Sequence, residues 1–479
     1  MLRDGVAYFS SLKPVLLWTD ALVFMLVAVI AAFAVYARGK EYLRAPWRKV
    51  FASRGGMVAA VVIAVYAAVA LLDSVHFREP LEKKGAEGET FYTVEVISLL
   101  DLALGPLRDQ VEKTYSAPFA THLYAKETVE LPDGSSARIF PRLQYGGAHL
   151  EDPLRDRAGD ILYRSLSGAG AGLLWWVVLS GVFVWGMARR AGEPFRATLK
   201  RVLSGETAIP WHAMLYTAGL FLVLIGMIAS LAGYYHIFGT DKVGQDVLYQ
   251  AIKSVRTALV IGTLTTLVML PFALLFGIMA GYLRGWVDDL IQYLYTTLNS
   301  IPGILLIASA ILMLQVYIDT HPDLFETDAA RADMRLLFLC IILGVTSWTG
   351  LCRLLRGEAM KMRAAEFVQA ASAFGVRHSR IMSRHLLPNV MHIVLITVVL
   401  DFSGLVLAEA VLSYVGVGVD PSMNSWGNMI NGARLEMARD PMVWWSLLAA
   451  FVFMFVLVLA ANLFSDAVRD AFDPRTHSK

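Results

Sequence analysis

Catalytic signatures are missing from this sequence. No G-x-x-x-x-G-K-[ST] occurs in its 479 residues, so no phosphate-cradling loop of that kind is present. Gly239-Thr-Asp-Lys-Val-Gly244 has two glycines near that separation, but no Lys-Ser/Thr follows and no phosphate-binding βα unit opens there. There is no H-E-x-x-H, no nucleophile elbow and no Ser–His–Asp arrangement, and the chain reads as a non-enzyme. Cysteine is nearly absent. Cys340 and Cys352 fall in or beside one apolar run, about 18 Å apart along a helix axis, too far for a disulfide. No metal-ligand spacing occurs. Charge is also scarce: 17% of residues are charged and the net charge is +2, which excludes the basic footprint of a nucleic-acid binder. The usual compact signal peptide is lacking, because Met1–Lys13 is mixed and the apolar run after it is long.

What the chain has is apolar length. Its 57% hydrophobic content is too high for a soluble enzyme. Nine runs are long enough to cross a bilayer: Pro14–Ala37, Gly55–Val75, Gly168–Met187, Trp211–Tyr235, Thr257–Tyr282, Leu290–Tyr317, Arg335–Leu355, Asn389–Tyr414 and Val443–Phe464. Arg38, Lys40, Arg44, Arg48, Lys49 and Arg54 face only Glu41 between the first two runs. Arg189, Arg190, Arg196, Lys200 and Arg201 follow the third. Basic loops mark the cytoplasmic side, so the N-terminus is outside and the C-terminus inside. Arg3 and Lys13 then sit outside, against the trend. Trp175, Trp176 and Trp185 read as interfacial anchors of the third span.

The expected fold is an all-α polytopic membrane protein with about nine transmembrane helices and a small α+β extracytoplasmic segment. Residues 1–75 form N-terminal spans with a basic cytoplasmic loop. Residues 76–164 form the extracytoplasmic segment, with strands at Thr90–Ile97, Glu127–Leu131 and Arg138–Leu143, a turn at Pro132-Asp133-Gly134 and a helix at Leu99–Tyr115. It reads as a docking surface or as a spacer. Residues 165–235 add further spans, and 236–479 form the core. Asp319–Asp333, with Asp323, Glu326 and Asp328, reads as an acidic outer loop.

The chain's most informative stretch is Lys361–Pro388, a basic island between two apolar runs. Phe367, Ala370, Ala371 and Phe374 recur at i, i+3, i+4 and i+7, one face of a short helix. Gly375 stands where a helix takes a left-handed C′ residue, Ser379 is placed to cap a second short helix, and Pro388 falls in the first turn of the next run. Elsewhere, Asp401 and Glu409 lie eight residues apart within an apolar span, close to one helix face. Ile301-Pro302-Gly303 breaks another span. Pro302 reads as pathway lining or as a kink.

Four motifs in order resemble the ABC-importer permeases of the dipeptide/oligopeptide/nickel type. His236–Val247 (HIFGTDKVGQDV) is similar to their GTD-x-x-G-R-D-V signature, with Gln245 in place of Arg; by itself it reads as a turn with Asp241 and Asp246 as helix caps. Gln369-Ala370-Ala371, Gly375 and Leu387-Pro388 resemble the Glu-Ala-Ala coupling loop, with Gln369 for Glu and His385 for Ile. Trp426-Gly427-Asn428-Met429 matches the outer re-entrant stretch and Ser465–Arg475 the C-terminal motif, while Glu409 falls in a run, Ala408–Ser413, similar to their Thr-Glu-Ala-x-Leu-Ser-x-x-Gly. For Glu409 the match favours a structural helix–helix role. The resemblance implies a second permease subunit in a bacterial inner membrane, with an N-terminal extension and insertion. It implies coupling to cytosolic ABC ATPase subunits through Phe367, Gln369, Ala370, Ala371, Phe374, Gly375, Leu387 and Pro388. It also implies a homologous permease partner, an extracytoplasmic solute-binding protein and ATP bound on the partner subunits, with no cofactor on this chain. Two other classes stand beside it. A secondary proton-coupled transporter would use Asp401 and Glu409, yet no inverted repeat is visible. A membrane sensor would bind its ligand through residues 76–164.

Topology is directly testable. In intact cells, cysteines placed at Ser53 and Ser204 are expected to be protected from a membrane-impermeant thiol reagent, and one at Ser135 to be labelled. The reverse pattern inverts the assignment and removes Lys361–Pro388 from the cytosol.

Overall fold

The computed structural model describes residues 12–84, 90–130, 136–325 and 327–472. Arg3, the turn Pro132-Asp133-Gly134, Glu326 and Asp473-Pro474-Arg475 lie outside them. Among the described residues nine helices are long and apolar enough to cross a membrane, and β-structure is limited to short ladders. The chain is an all-α multi-pass membrane protein.

Helix α1 (Trp18–Arg38) leads into amphipathic α2 (Glu41–Ala52) and then α3 (Arg54–Asp73). Ser53 caps α3 by accepting from the Gly56 N–H at 3.0 Å. Val50 of α2 is buried against Val468 and Ala471. Those two belong to the last helix of the chain, Trp445–Phe472. Strand β1 (Lys13–Val15) pairs antiparallel with β2 (His76–Arg78), which pairs with β5 (Ile97–Ser98). The chain before α1 therefore lies at the same end as the chain after α3. Strands β3 (Pro80–Lys84) and β4 (Thr90–Tyr92) form a second ladder, and β6 (Glu127–Glu130) and β7 (Ser136–Ile139) a third.

The core is built round one long helix, Val247–Leu283. Two cations near its outer end gather carboxylates from several elements. Arg256 donates to Asp20 at 2.6 Å and to Thr19 Oγ at 2.9 Å, both on α1, and lies 3.6 Å from Asp333. His76 Nδ1 closes on Asp20 at 2.8 Å. Lys253 donates to Asp73 at 2.6 Å and to Asp101 at 3.0 Å. Ser98 links the same two carboxylates, and Tyr249 donates to Asp101 at 2.7 Å. Buried charges are tolerated only when paired in this way. Below the clamp, α1 stands away from α3 and leaves an apolar cleft of about 530 Å³ lined by Val27, Ile30, Ile63, Leu267 and Phe402.

Several elements differ from the sequence expectations. The run Thr90–Ile97 is not one strand, because β4 and β5 pair with different partners. Leu99–Tyr115 is two short helices, α4 (Leu99–Ala103) and α5 (Gly105–Asp109), divided at Gly105-Pro106. Helix α6 (Pro153–Ala191) runs unbroken through residue 164, where the extracytoplasmic segment was expected to end. Trp176 is not an interfacial anchor: its indole N–H donates to Leu215 O at 2.7 Å across the helix pair. Basic α7 (Phe195–Ser204) connects α6 to α8 (Trp211–Leu231). Asp328 and Asp333, expected in an acidic loop, lie within a helix, Asp328–Ser347, capped by Thr327.

Helices α6 and α8 approach through small residues. A Cβ at Gly168 would strike the Gly226 carbonyl and come within 2.8 Å of Ser230 Cβ, and one at Gly172 would strike the Leu222 carbonyl. Close backbone contact of this kind drives helix pairing in lipid. Gly168→Leu is expected to cost about 1–3 kcal/mol by overpacking and to lower the melting temperature of the purified protein. Gly170→Leu, at a position with no neighbour within 4 Å, is expected to leave it unchanged.

Candidate functional site

The helices that carry the candidate site follow α8 in order. They are α9 (Val247–Leu283), α10 (Trp286–Ser300), α11 (Gly303–Thr320), α12 (Asp328–Ser347) and α13 (Thr349–Arg363). Next come α14 (Glu366–Ala373) and α15 (His378–Ile381), and a π-helical turn, Met382–Leu386, joins α15 to α16 (Leu387–Val415). Helices α17 (Trp426–Glu436) and α18 (Trp445–Phe472) complete the chain.

The island Lys361–Pro388 folds as α14, a turn, and α15 running into α16. Gly375 has φ +74°, and its N–H donates to Ser372 O while the Val376 N–H donates to Ala371 O. That pair of bonds is a Schellman ending. Phe367, Ala370 and Phe374 are exposed, Phe374 at 88%. Ala371 departs from the expected face. It is half-buried and turns inward beside Val368, which packs with Ile291, Leu355 and Ile381. Val368 and Ala371 are three residues apart and form their own stripe, which seats the helix on its own subunit. Gln369 is exposed and its amide donates back to Ala364 O at 3.1 Å. Ser379 does not cap: α15 begins one residue earlier, after Arg377, with no side-chain cap. Instead Tyr282 OH meets His378 Nδ1 at 3.0 Å and ties the turn to α9. Leu387 packs into the same apolar cluster, and Pro388 is exposed in the first turn of α16.

The other candidates lie apart from this loop. Pro302 is exposed and separates α10 from α11, so Leu290–Tyr317 is two helices and not one kinked span. Glu409 is buried and accepts from Ser413 Oγ at 2.7 Å, beside the outer stretch where Gly427 packs on Ala410 and Ser413. Asp401 is half-buried, and among the described residues no hydrogen bond or ion pair reaches it. An outer cavity of about 460 Å³ is lined by Glu95, Lys253, Arg256, Asp333 and Asn424, its cations already paired.

The chain from Phe367 to Pro388 thus presents two exposed aromatic rings on a short, rigidly ended helix. The family described as binding-protein-dependent transport system inner membrane component matches residues 273–478. The oligopeptide transport system permease protein OppC of Mycobacterium tuberculosis is 30% identical over 246 residues, covering 51% of this chain and 78% of that protein. The chain belongs to the peptide-type ABC permeases. Two further relatives agree. The dipeptide transport system permease protein DppC of Alkalihalophilus pseudofirmus is 30% identical over 302 residues, 60% of this chain and 92% of the relative. The oligopeptide transport system permease protein OppC of Haemophilus influenzae is 29% identical over 241 residues, 50% and 71% of the two chains.

In this permease the signature loop at residues 236–247 is locked to residues 112–146, a link sequence reasoning missed. Asp246 caps α9 by accepting from Tyr249 N at 3.1 Å, whereas Asp241 closes a turn through Val243 N and Gln245 N and caps no helix. Gly244 (φ +80°) lies against the Glu112 backbone, where any Cβ would collide with its carbonyl. Glu112 accepts from the N–H groups of Gln144, Tyr145 and Gly146. Buried His236 stands between two carboxylates, 2.9 Å from Asp246 and 3.5 Å from Glu112. Burial alone would lower the imidazole, but the hydrogen bond to Asp246 and the nearby Glu112 carboxylate outweigh it and hold it up at about 9. Burial likewise raises Glu112, yet His236 and the three backbone donors bring it down to about 2.

A raised histidine stabilises the fold below its ordinary value of 6.5 and loses that contribution as pH rises through about 9. A depressed carboxylate stabilises above 4.5 and loses it as pH falls toward about 2. The melting temperature of the purified wild type is therefore expected to drop as pH is raised from 6.5 to about 9. His236→Gln is expected to flatten that alkaline slope. An unchanged slope in the variant removes His236 from the junction.

Proposed function

We propose that this chain is the transmembrane permease subunit of an ATP-driven importer in a bacterial inner membrane. It forms part of the translocation pathway for peptides or a related small solute. The observation that carries the reading is the exposed Phe367–Phe374 face of α14, an apolar surface at the cytoplasmic end of a chain whose relatives are peptide transport permeases. Aromatic rings standing in water at the tip of a rigid helix suit insertion into a groove of a cytosolic partner. An ABC ATPase subunit supplies that groove and binds the ATP, so the chain itself performs no chemistry and holds no cofactor. A homologous permease subunit covers the exposed apolar faces of α10 and α11 around Tyr293, Ile304 and Leu305. A solute-binding protein delivers cargo to the outer side, where residues 76–164 and the spans of α6 and α8 are additions to the permease core. The described residues pair α3 with α9 and α18 at the centre, which supports α3 as the first core span.

Movement follows from packing. Closure of the ATPase pair displaces α14, which is seated by Val368 in one apolar cluster with α9, α10, α13 and α16. The displaced block tilts, and the pathway changes the face to which it opens.

Two substitutions separate surface from backbone. Phe374→Ala removes an exposed ring and leaves the permease fold intact. Gly375→Val meets no neighbour within 4 Å, yet forces a β-branched residue to φ +74°, at a local cost of about 1–3 kcal/mol. Both variants are expected to reach the membrane at wild-type levels, to co-purify poorly with the ATPase subunits and to lose substrate-stimulated ATP hydrolysis. Arg377→Ala, on the exposed turn, is expected to do much less. Full stimulated hydrolysis by Phe374→Ala in the reconstituted complex rules out α14 as the coupling element.

A further inference from the structure

Helix α10 begins beside the coupling loop and ends at the Pro302 break. Its start is held in two ways. The turn before it carries backbone strain: Arg284 has φ +58° and ψ −168°, a region in which essentially only glycine is comfortable, and Gly285 follows at φ +59°. Such a conformation persists only where the surroundings impose it. One turn on, Asp288 is 8% exposed, and both of its oxygens are taken by Arg356 of α13, Nε at 2.6 Å and Nη2 at 2.7 Å. A planar guanidinium fork on a carboxylate fixes direction as well as distance.

Helix α13 is in turn pressed onto α9. A Cβ at Gly277 would come within 2.7 Å of Leu355 Cβ, and one at Gly281 within 2.6 Å of Ala359 Cβ. Only Ala364 and Ala365 separate the end of α13 from α14. Apolar packing alone lets helices slide, whereas a bidentate ion pair sets their register. We propose that Asp288 and Arg356 are positioning residues: their clasp carries displacement of the coupling helix through α13 to α10, and so to the Pro302 break. This inference rests on the coupling role proposed for residues 361–388.

Asp288 also lies in the first turn of α10, where any carboxylate favours the helix dipole. The exchanged pair distinguishes the two roles, because Asp288→Arg with Arg356→Asp restores the clasp while placing a cation at the helix start. In the importer reconstituted with its ATPase subunits and binding protein, Asp288→Asn and Arg356→Gln are expected to co-purify with the ATPase at the wild-type ratio. Transport per ATP hydrolysed is expected to fall about tenfold in each, with the exchanged pair recovering most of it. Unchanged transport per ATP in the single variants, or an inserted exchanged pair that recovers nothing, overturns the clasp. If the wild type itself binds no ATPase, the coupling reading fails, and nitroxide labels at Tyr293 and Glu358 then test the clasp alone. The distance distribution is expected to be narrow in the wild type and broad in Asp288→Asn; equal widths overturn the clasp.

Discussion

Two cations on α9, Lys253 and Arg256, hold the outer half of this permease together. Each carries a charge that bare burial would make costly, and each is answered by carboxylates from other parts of the chain. Asp20 comes from α1, Asp73 from the end of α3, Asp101 from α4 and Asp333 from α12. None of these elements can withdraw without stranding a charge. The N-terminal span is tied here most plainly, because along the rest of its length α1 is largely exposed and leaves an apolar cleft beside α3.

The opposite half is held by different means. There α9, α10, α13, α14 and α16 share one apolar cluster, and glycines at 277 and 281 bring α9 and α13 into close contact. Polar links there include Tyr282 with His378, Asp288 with Arg356 and Thr349 with Asn299. An ionic outer end and an apolar inner end suit a subunit anchored on one side and moved on the other. The junction of Glu112, His236 and Asp246 extends the ionic end into residues 76–164, which are fastened to the core at the signature loop.

Much of this was legible in the sequence because membrane spans declare themselves by length alone. Each of the nine apolar runs contains a helix long enough to span, in the expected order, although Leu290–Tyr317 divides at Pro302. Gly375 was legible for a local reason, since the residue that ends a helix left-handed leaves its mark at one position. What escaped depends on contacts between residues distant in the chain. Nothing near Glu112 announces that it will meet His236, and Thr19 and Asp20 look like ordinary flanking polar residues until Arg256 is placed against them. Ala371 shares the helix face of Phe367 and Phe374 by spacing alone, but a stripe of four positions is wider than the surface that remains free once Val368 is seated. Trp176 was read as interfacial because tryptophan favours that depth, but Gly219 opposite leaves room for its ring inside the helix pair.

Helix α6 spans 39 residues without a break. At 1.5 Å per residue that is about 58 Å, against a hydrocarbon thickness of about 30 Å. It is therefore longer than a bilayer of about 40–45 Å with its headgroups. His149, Arg164 and Tyr235 all grip Asp160 on that helix. Asp160, where those residues gather, and the apolar part of α6 thus share one unbroken helix, with no hinge between them.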